Sequence, residues 1–299
     1  MQSVSSLAEA SALLAAAGPR GRRVRIGEDL TLDGLDRVLE HEAGDLTATV
    51  EAGIRLSSLN ARLASAGQRL SLDPPGDPTI GACIAADFSG PRRHRYGTMR
   101  DLVLGVTVVL ADGTIANAGG KVVKNVAGYD LGKLLCGSRG TLALIGRVSL
   151  RLHPAPAAAR TLVVGSDDPA GAWAALRRAQ LEPSAVDVLH PGRLAVLFEG
   201  SEAAVAAQLD AARALAGGEE AGEEVWVEAR ERQAAAEGRV VFEPGRLGEA
   251  LADLDEAVVR AAAGVAYVPH DASPAPSEAV RALNERVRAA FDPLGVLAL

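Results

Sequence analysis

Cysteine is scarce in this chain: its 299 residues include two, Cys83 and Cys136. Two thiols cannot build a disulfide framework, and no Cys-x-x-Cys pair offers zinc binding or redox exchange. An iron–sulfur cluster normally takes four thiolates, so this chain cannot hold one alone. Any electrons it handles must leave through an organic cofactor or another protein. Paired histidines are lacking too. His41, His94, His153, His190 and His270 are scattered, without His-Glu-x-x-His spacing, which argues against a metal site. Positive charge is in deficit: 31 Lys+Arg against 38 Asp+Glu leave −7, which speaks against nucleic acid or an anionic membrane as partner. Every apolar run breaks well short of about 18 residues, so no transmembrane segment is expected. No Ser/His/Asp arrangement or helical carboxylate pair supports hydrolase chemistry. Leu7 to Ala17 imitates a signal-peptide core, but Arg20, Arg22, Arg23 and Arg25 follow it instead of preceding it. Leu7, Ala10, Leu14 and Ala17 recur at helical spacing, so the expectation is a surface helix in a cytoplasmic protein.

What is present reads as globular. Hydrophobic residues at 48% and charged residues at 23% sit near ordinary averages, and the length suggests about two domains at roughly 150 residues each. The first half alternates strands and short helices. Thr47–Glu51 reads as a strand, and Leu56, Leu59, Leu63 and Ala66 mark one helix face, with Gly67 as its stop. Val103–Leu110 is a β-branched run ending in the hairpin signal Asp112-Gly113. Leu131, Leu134 and Leu135 mark a short helix, and Leu142–Leu152 returns to strand. His153-Pro154-Ala155-Pro156 reads as a linker.

The second half has another rhythm. Strand 161–165, a helix capped by Asp168-Pro169, strands 185–190 and 193–199, helix 202–216 and strand 225–227 give the β-α-β-β-α-β order of a ferredoxin-like unit. Strand 239–242, helix 246–255 and strand 264–268 extend it. Asp271–Ser277 reads as a second linker before a terminal helix, Glu278–Phe291.

Glycine is densest between Pro74 and Gly146: Gly81, Gly90, Gly97, Gly119, Gly120, Gly128, Gly137 and Gly140 all fall there. Such turns let backbone approach a ligand and can form nests for phosphate oxygens, although Gly113, Gly119 and Gly120 can equally serve tight turns. The pattern matches neither Gly-x-Gly-x-x-Gly after a strand nor a Gly-x-x-x-x-Gly-Lys-Ser/Thr loop, which excludes the Rossmann and P-loop readings.

These residues carry a resemblance. Asp73-Pro74-Pro75, Thr79-Ile80-Gly81, Ser89-Gly90-Pro91-Arg92-Arg93-His94-Arg95-Tyr96-Gly97 and Arg100-Asp101 resemble the second FAD-binding subdomain of the vanillyl-alcohol-oxidase superfamily, the PCMH-type flavoproteins. The continuation, Gly119 through Leu131 and Gly137-Ser138-Arg139-Gly140-Thr141-Leu142, is similar to the FAD-binding subunits of bacterial glycolate oxidases. The likeness covers roughly Gly34 to Pro156 and returns at Phe291-Asp292-Pro293-Leu294-Gly295. It implies an α+β fold: a PCMH-type FAD-binding domain of two α/β subdomains over 1–154, a ferredoxin-like cap over 155–277, and a segment, 278–299, that returns to the flavin domain. It also implies an FAD cofactor held by Pro75, Thr79, Ile80, Gly81, Ala82, Ser89, Gly90, Tyr96, Gly97, Gly140, Ile145 and Val148. In this picture amides around Thr79 to Ala82 approach the pyrophosphate or ribityl chain. Gly140, Ile145 and Val148 sit against the adenosine end. The implied activity is oxidation of a small 2-hydroxy acid, glycolate in that family. The implied partners are a sister FAD-containing catalytic subunit and an iron–sulfur subunit.

The superfamily's glycine-rich pyrophosphate loop should follow the strand Arg22–Ile26. Gly27-Glu28-Asp29-Leu30 stands there instead, with two acidic residues where an anion would approach, and Ala82 replaces an expected glycine. Two alternatives therefore stay open: a flavin-free structural or regulatory subunit with a degenerate FAD site, and a stand-alone D-2-hydroxy-acid flavin dehydrogenase. Arg92, Arg93, His94 and Arg95 could attract an anion or form a solvated basic loop. Cys83 reads as a small buried residue. Lys124, Asn125, Tyr129 and Asp130 could touch flavin or a partner, and Tyr129 and Asp130 could equally cap the following helix.

Overall fold

Thr47–Glu51, Val103–Val109 and Leu144–Arg151, rich in β-branched and aliphatic residues and buried along most of their length, build the first sheet. In the computed structural model, which describes residues 1–120 and 130–299, this sheet is antiparallel. Its five strands run in the order 38–42, 47–51, 144–151, 103–109, 115–119. Leu59 and Leu63 of the helix Leu56–Leu63, and Ile80 and Ile84 of the helix Ile80–Ala86, bury against Val50, Val106, Val148 and Leu150. The strand Val38–Glu42 is not legible in the sequence, since it buries no residue fully and exposes Leu39 and Glu42.

A smaller layer lies beside this sheet. The predicted helix forms as Leu7–Ala17 and buries Leu7, Ala10, Leu14 and Ala17. Gln2–Ser3 pairs with Leu30–Thr31, and Leu297–Ala298 pairs with Val24–Arg25, both in parallel. The chain end is held by Asp292, whose carboxylate accepts from the amides of Val296 (2.9 Å) and Leu297 (2.6 Å). Gly53 is where this layer touches the first sheet. A Cβ there would stand 2.0 Å from the Leu32 carbonyl oxygen, so only glycine permits the approach.

The second half forms an antiparallel sheet of seven strands in the order 219–221, 158–165, 193–200, 185–190, 257–260, 265–268, 238–241. The first four positions have the fourth strand beside the first, then the third and the second, as in a ferredoxin-like unit, with the helices Pro169–Arg178 and Glu202–Ala216 packed on it. One expectation is overturned. Val225–Val227 is not a strand but the first turn of the helix Glu224–Ala235, and Glu219–Ala221 takes the edge position instead. The reason is Trp226, which buries beside Val225 and Ala229 and donates from Nε1 to Thr161 Oγ1 at 2.8 Å. Nor does the first linker hang free. His153–Pro154 pairs antiparallel with Gln68–Arg69, and the Ala155 amide donates to the Gly67 carbonyl. Among the described residues no helix is long and apolar enough to cross a membrane.

Candidate functional site

A cavity of about 510 Å³ opens between the small N-terminal layer and the helix Ile80–Ala86. Apolar walls come from Ile26, Leu30, Leu32, Ala85, Phe88 and Ile145. Gly27, Gly53, Gly81 and Gly140 bring bare backbone to its surface. At Gly140, which has φ +75°, a Cβ would press on Ile26 at 3.1 Å, so the narrow approach of the two walls depends on glycine. Arg139 also lines the cavity. Its backbone is in the left-handed region (φ +52°), and its amide donates to Ala85 O at 2.8 Å. Its guanidinium has no hydrogen bond or ion pair among the described residues, so it is available to an anion.

The predicted ligand residues divide three ways. Thr79, Gly81, Ala82, Gly140 and Ile145 line this cavity. Ile80 and Val148 lie in the core, fully shielded. Pro75, Ser89, Gly90, Tyr96 and Gly97 do not reach the cavity wall. The expected amide cradle also differs from its sequence picture. Thr79 is the N-cap of a helix, and its Oγ1 accepts from the Ala82 amide at 3.2 Å. The Ile80 and Gly81 amides donate to Ile54 O and Ala52 O at 2.9 and 2.7 Å. These N–H groups are engaged inside the protein, so the segment offers small surface rather than a phosphate nest.

The shortened turn after Arg25 behaves similarly. The Gly27 amide donates to Leu30 O at 2.8 Å, and the Asp29 amide to Arg25 O at 2.9 Å. Glu28 and Asp29 do not confront the cavity, because both fold back on Arg25: Nη1 lies 2.6 Å from Glu28, and Nε lies 3.2 Å from Asp29. The Arg25 amide and guanidinium together hold the Asp29 carboxyl below the usual range. The feared repulsion is thereby neutralised locally.

Segment 89–97 instead docks on the seven-stranded unit. Ser89 O accepts from Gln233 Nε2 at 2.8 Å, and the Arg95 guanidinium reaches Glu182 O at 3.4 Å. The His94 ring meets Trp173 edge-on at 5.7 Å, and burial pushes its pKa down. The basic run is therefore neither a solvated loop nor an open anion site. At the centre of this junction stands Glu199, whose side chain is 1% exposed. Its carboxylate accepts from Arg69 Nη1 and Nη2 at 2.9 and 2.7 Å and from Arg92 Nε at 3.0 Å. Burial pushes this carboxyl up, but the hydrogen bonds and charges of Arg69 and Arg92 outweigh it and hold the pKa at about 2. Asp73 accepts from the Arg92 amide at 3.0 Å, and its own burial lifts it to about 7 against the pull of Arg92. Deeper in the same unit Asp187 and Arg260 form a buried pair, with Gln233 accepting from Arg260.

Residues 12–119 match the family model described as an FAD binding domain. Over that stretch the chain is similar to FAD-binding domains. It is 34% identical over 203 residues to the glycolate oxidase subunit GlcE of Escherichia coli (strain K12), a match covering 66% of this chain and 56% of that protein. It is 37% identical over 146 residues to D-lactate dehydrogenase [cytochrome] 1, mitochondrial, of Saccharomyces cerevisiae (strain ATCC 204508 / S288c), covering 48% of this chain and 25% of that one. Against the glycolate oxidase subunit GlcD of Bacillus subtilis (strain 168), identity is 39% over 131 residues, 43% and 28% of the two chains. The matches thus span about half the length of the first of these relatives and about a quarter of the others. A solved structure of alkyldihydroxyacetonephosphate synthase superposes with a TM-score of 0.74 over 98% of this chain and 74% of that one, at 15% identity. That likeness concerns the fold.

The cavity of the FAD-binding domain suits such a cofactor in volume and lining: ligand sites run to roughly 300–1,000 Å³ and are mostly apolar with a few polar anchors. Arg139 is the cationic side chain at its edge. From the sequence Arg139 belongs to a turn, Gly53 ends a strand and Phe88 has no role, because nothing local distinguishes a cavity wall from a core contact. Asp130 is the N-cap of the helix Leu131–Leu135, accepting from the Lys133 amide at 3.2 Å. Lys124, Asn125 and Tyr129 lie outside the described residues.

Cys83 is fully buried, and burial, with Asp77 adding to it, pushes its thiol up to about 12. It is expected to resist an aromatic disulfide reagent at pH 8 until denaturant is added. Stopped-flow thiol titration of the native chain checks this; rapid reaction of Cys83, located by peptide mapping, would contradict it.

Proposed function

We propose that this chain is an FAD-binding subunit of a glycolate-oxidase-type 2-hydroxy-acid dehydrogenase complex. In this reading it works in the cytoplasm beside a sister FAD-containing catalytic subunit and an iron–sulfur subunit, with a small 2-hydroxy acid as the substrate. The supporting observation is the glycine-walled cavity with Arg139 at its edge, in the domain that matches the FAD-binding family. When bound, FAD supplies hydride and electron transfer. The residues that would hold it are Gly81 and Gly140, where backbone is bare, Ile26 and Ile145, which would offer apolar surface to a flat ring, and Arg139, which would meet the negative charge of the phosphates. The two thiols of the chain cannot ligate a cluster, so the electrons need a cysteine-rich neighbour. In the same reading residues 1–154 are the flavin domain, 155–277 the cap, and 278–299 the returning segment.

The visible spectrum of the purified chain, followed by FAD titration, tests this. A yellow protein, or tight uptake of added FAD, is expected. A colourless chain that takes up none would overturn the reading. It would favour the flavin-free subunit, to which the internally engaged amides of Gly27, Asp29, Ile80 and Gly81 already lend support. Turnover of a D-2-hydroxy acid by the isolated chain would favour the stand-alone dehydrogenase. Arg139→Ala is expected to weaken FAD about 10- to 100-fold, the worth of one charge-assisted hydrogen bond, with the fold unchanged. Flavin fluorescence quenching reads the difference.

A further inference from the structure

The junction between the FAD-binding domain and the seven-stranded unit is built like a carboxylate-binding site whose ligand is part of the chain. Arg69 presents both terminal nitrogens to the two oxygens of Glu199, the parallel fork geometry with which guanidinium groups bind carboxylate ligands. Arg92 adds Nε to the same carboxylate. The Tyr96 hydroxyl stands 3.5 Å from Glu199 Oε2 and accepts from Arg69 Nη2 at 3.2 Å. Each arginine also has an anchor other than Glu199: Arg69 Nε donates to Ser71 Oγ at 3.1 Å, and Arg92 pairs with Asp73. Beside them, the His153 ring lies 4.7 Å from that of Tyr96, and its Nδ1 is buried with no hydrogen-bond partner. Burial, with Arg151 and Arg69 adding to it, pushes the His153 pKa down to about 4, so the ring is neutral at pH 7. Arg69, Arg92, Tyr96 and His153 all come from the first 154 residues, whereas the carboxylate comes from a strand of the other unit. The occupant is thus delivered from a different body than the site.

We propose that Arg69, Arg92 and Tyr96 form a monocarboxylate site and that Glu199 is its built-in occupant, with which a free small carboxylate must compete. In the closed arrangement the chain then has no vacancy for a 2-hydroxy acid at this junction. The site opens only when Glu199 is withdrawn. The inference rests on side chains of this protein and holds whether or not FAD is retained. It is therefore tested without flavin, and its failure leaves the spectral test of the proposed function untouched.

The test compares the thermal unfolding midpoint of the full chain, Glu199→Ala and Glu199→Gln in sodium acetate, sodium glycolate and matched sodium chloride. In Glu199→Ala a carboxylate should restore part of the lost midpoint, by several degrees more than chloride at equal ionic strength, since ligand binding to the folded state raises stability by mass action. The unaltered chain should respond to all three salts alike. Glu199→Gln keeps the side-chain volume and should also gain from acetate over chloride. Equal responses of both variants to acetate and chloride would overturn the proposal. So would a carboxylate-specific rise in the unaltered chain as steep as that in Glu199→Ala. Should Glu199→Ala fail to fold in chloride, its refolding yield is the readout: recovery in acetate alone supports the site, and equal failure in both salts counts against it.

Discussion

Glu199→Ala is expected to lower stability at pH 7 by about 3–5 kcal/mol, the usual cost of removing one partner from a buried charge cluster. For a chain of this size that corresponds to a midpoint shift of roughly 5–8 °C. The physical source is the pair left behind. Arg69 and Arg92 are 16% and 20% exposed, and without Glu199 their buried charges face each other with Asp73 as the remaining carboxylate. Acid should reproduce part of the effect in the unaltered protein. The folded value of Glu199, about 2, lies below its usual 4.5. Its contribution is therefore complete above about pH 4.5 and is lost as pH falls toward 2; the 2.5-unit difference corresponds to about 3 kcal/mol. Urea titrations from pH 7 to pH 2 check both statements. The gap between the two proteins should narrow through that window, and a gap independent of pH would show that the carboxylate's charge is not what matters.

The second large effect concerns Asp187 and Arg260, 0% and 2% exposed in side chain. Arg260→Ala should cost about 3–5 kcal/mol, since Asp187 is then buried without its cation. Asp187 Oδ1 and Arg260 Nε already lack hydrogen-bond partners, so the pair is incompletely satisfied even when intact. For that reason the double replacement Asp187→Leu with Arg260→Met should be close to neutral, within about 1 kcal/mol, because it removes both desolvated charges together. Denaturant unfolding of Asp187→Leu, Arg260→Met and the double variant closes the cycle. A double variant as unstable as Arg260→Ala would show that the ion pair supplies net stability. Gln233 ties this layer to Ser89 O, so Arg260→Ala should also speed hydrogen exchange across segment 89–97.

Much of the fold was legible because periodicity reports burial directly. Leu7, Ala10, Leu14 and Ala17 mark a buried helix face, and the strands Val103–Val109 and Ala185–His190 lie where their apolar runs place them. Elements failed where local pattern and tertiary burial disagree. Val225-Trp226-Val227 has strand composition, yet Trp226 finds Thr161 only as part of a helix. The strand Ala257–Arg260 carries a buried arginine that no strand signal announces. Glu199 follows the apolar run Leu194–Phe198, and nothing in the sequence names Arg69 and Arg92 as its partners.

By itself the sequence determined what the chain can be made of: an α+β protein without the thiols for a cluster, whose glycine-rich segment resembles flavin-binding relatives. Side-chain period and the identity of small residues are local properties, and they survive in one dimension. The tertiary structure alone decided how that segment is shared out. Residues 79–82 and 139–145 meet across one cavity, while residues 89–97 turn away to grip Glu199 and its surroundings. That division depends on contacts between groups from about sixty to more than a hundred residues apart, and on charges whose energies are set by burial. Neither has a signature in the order of residues.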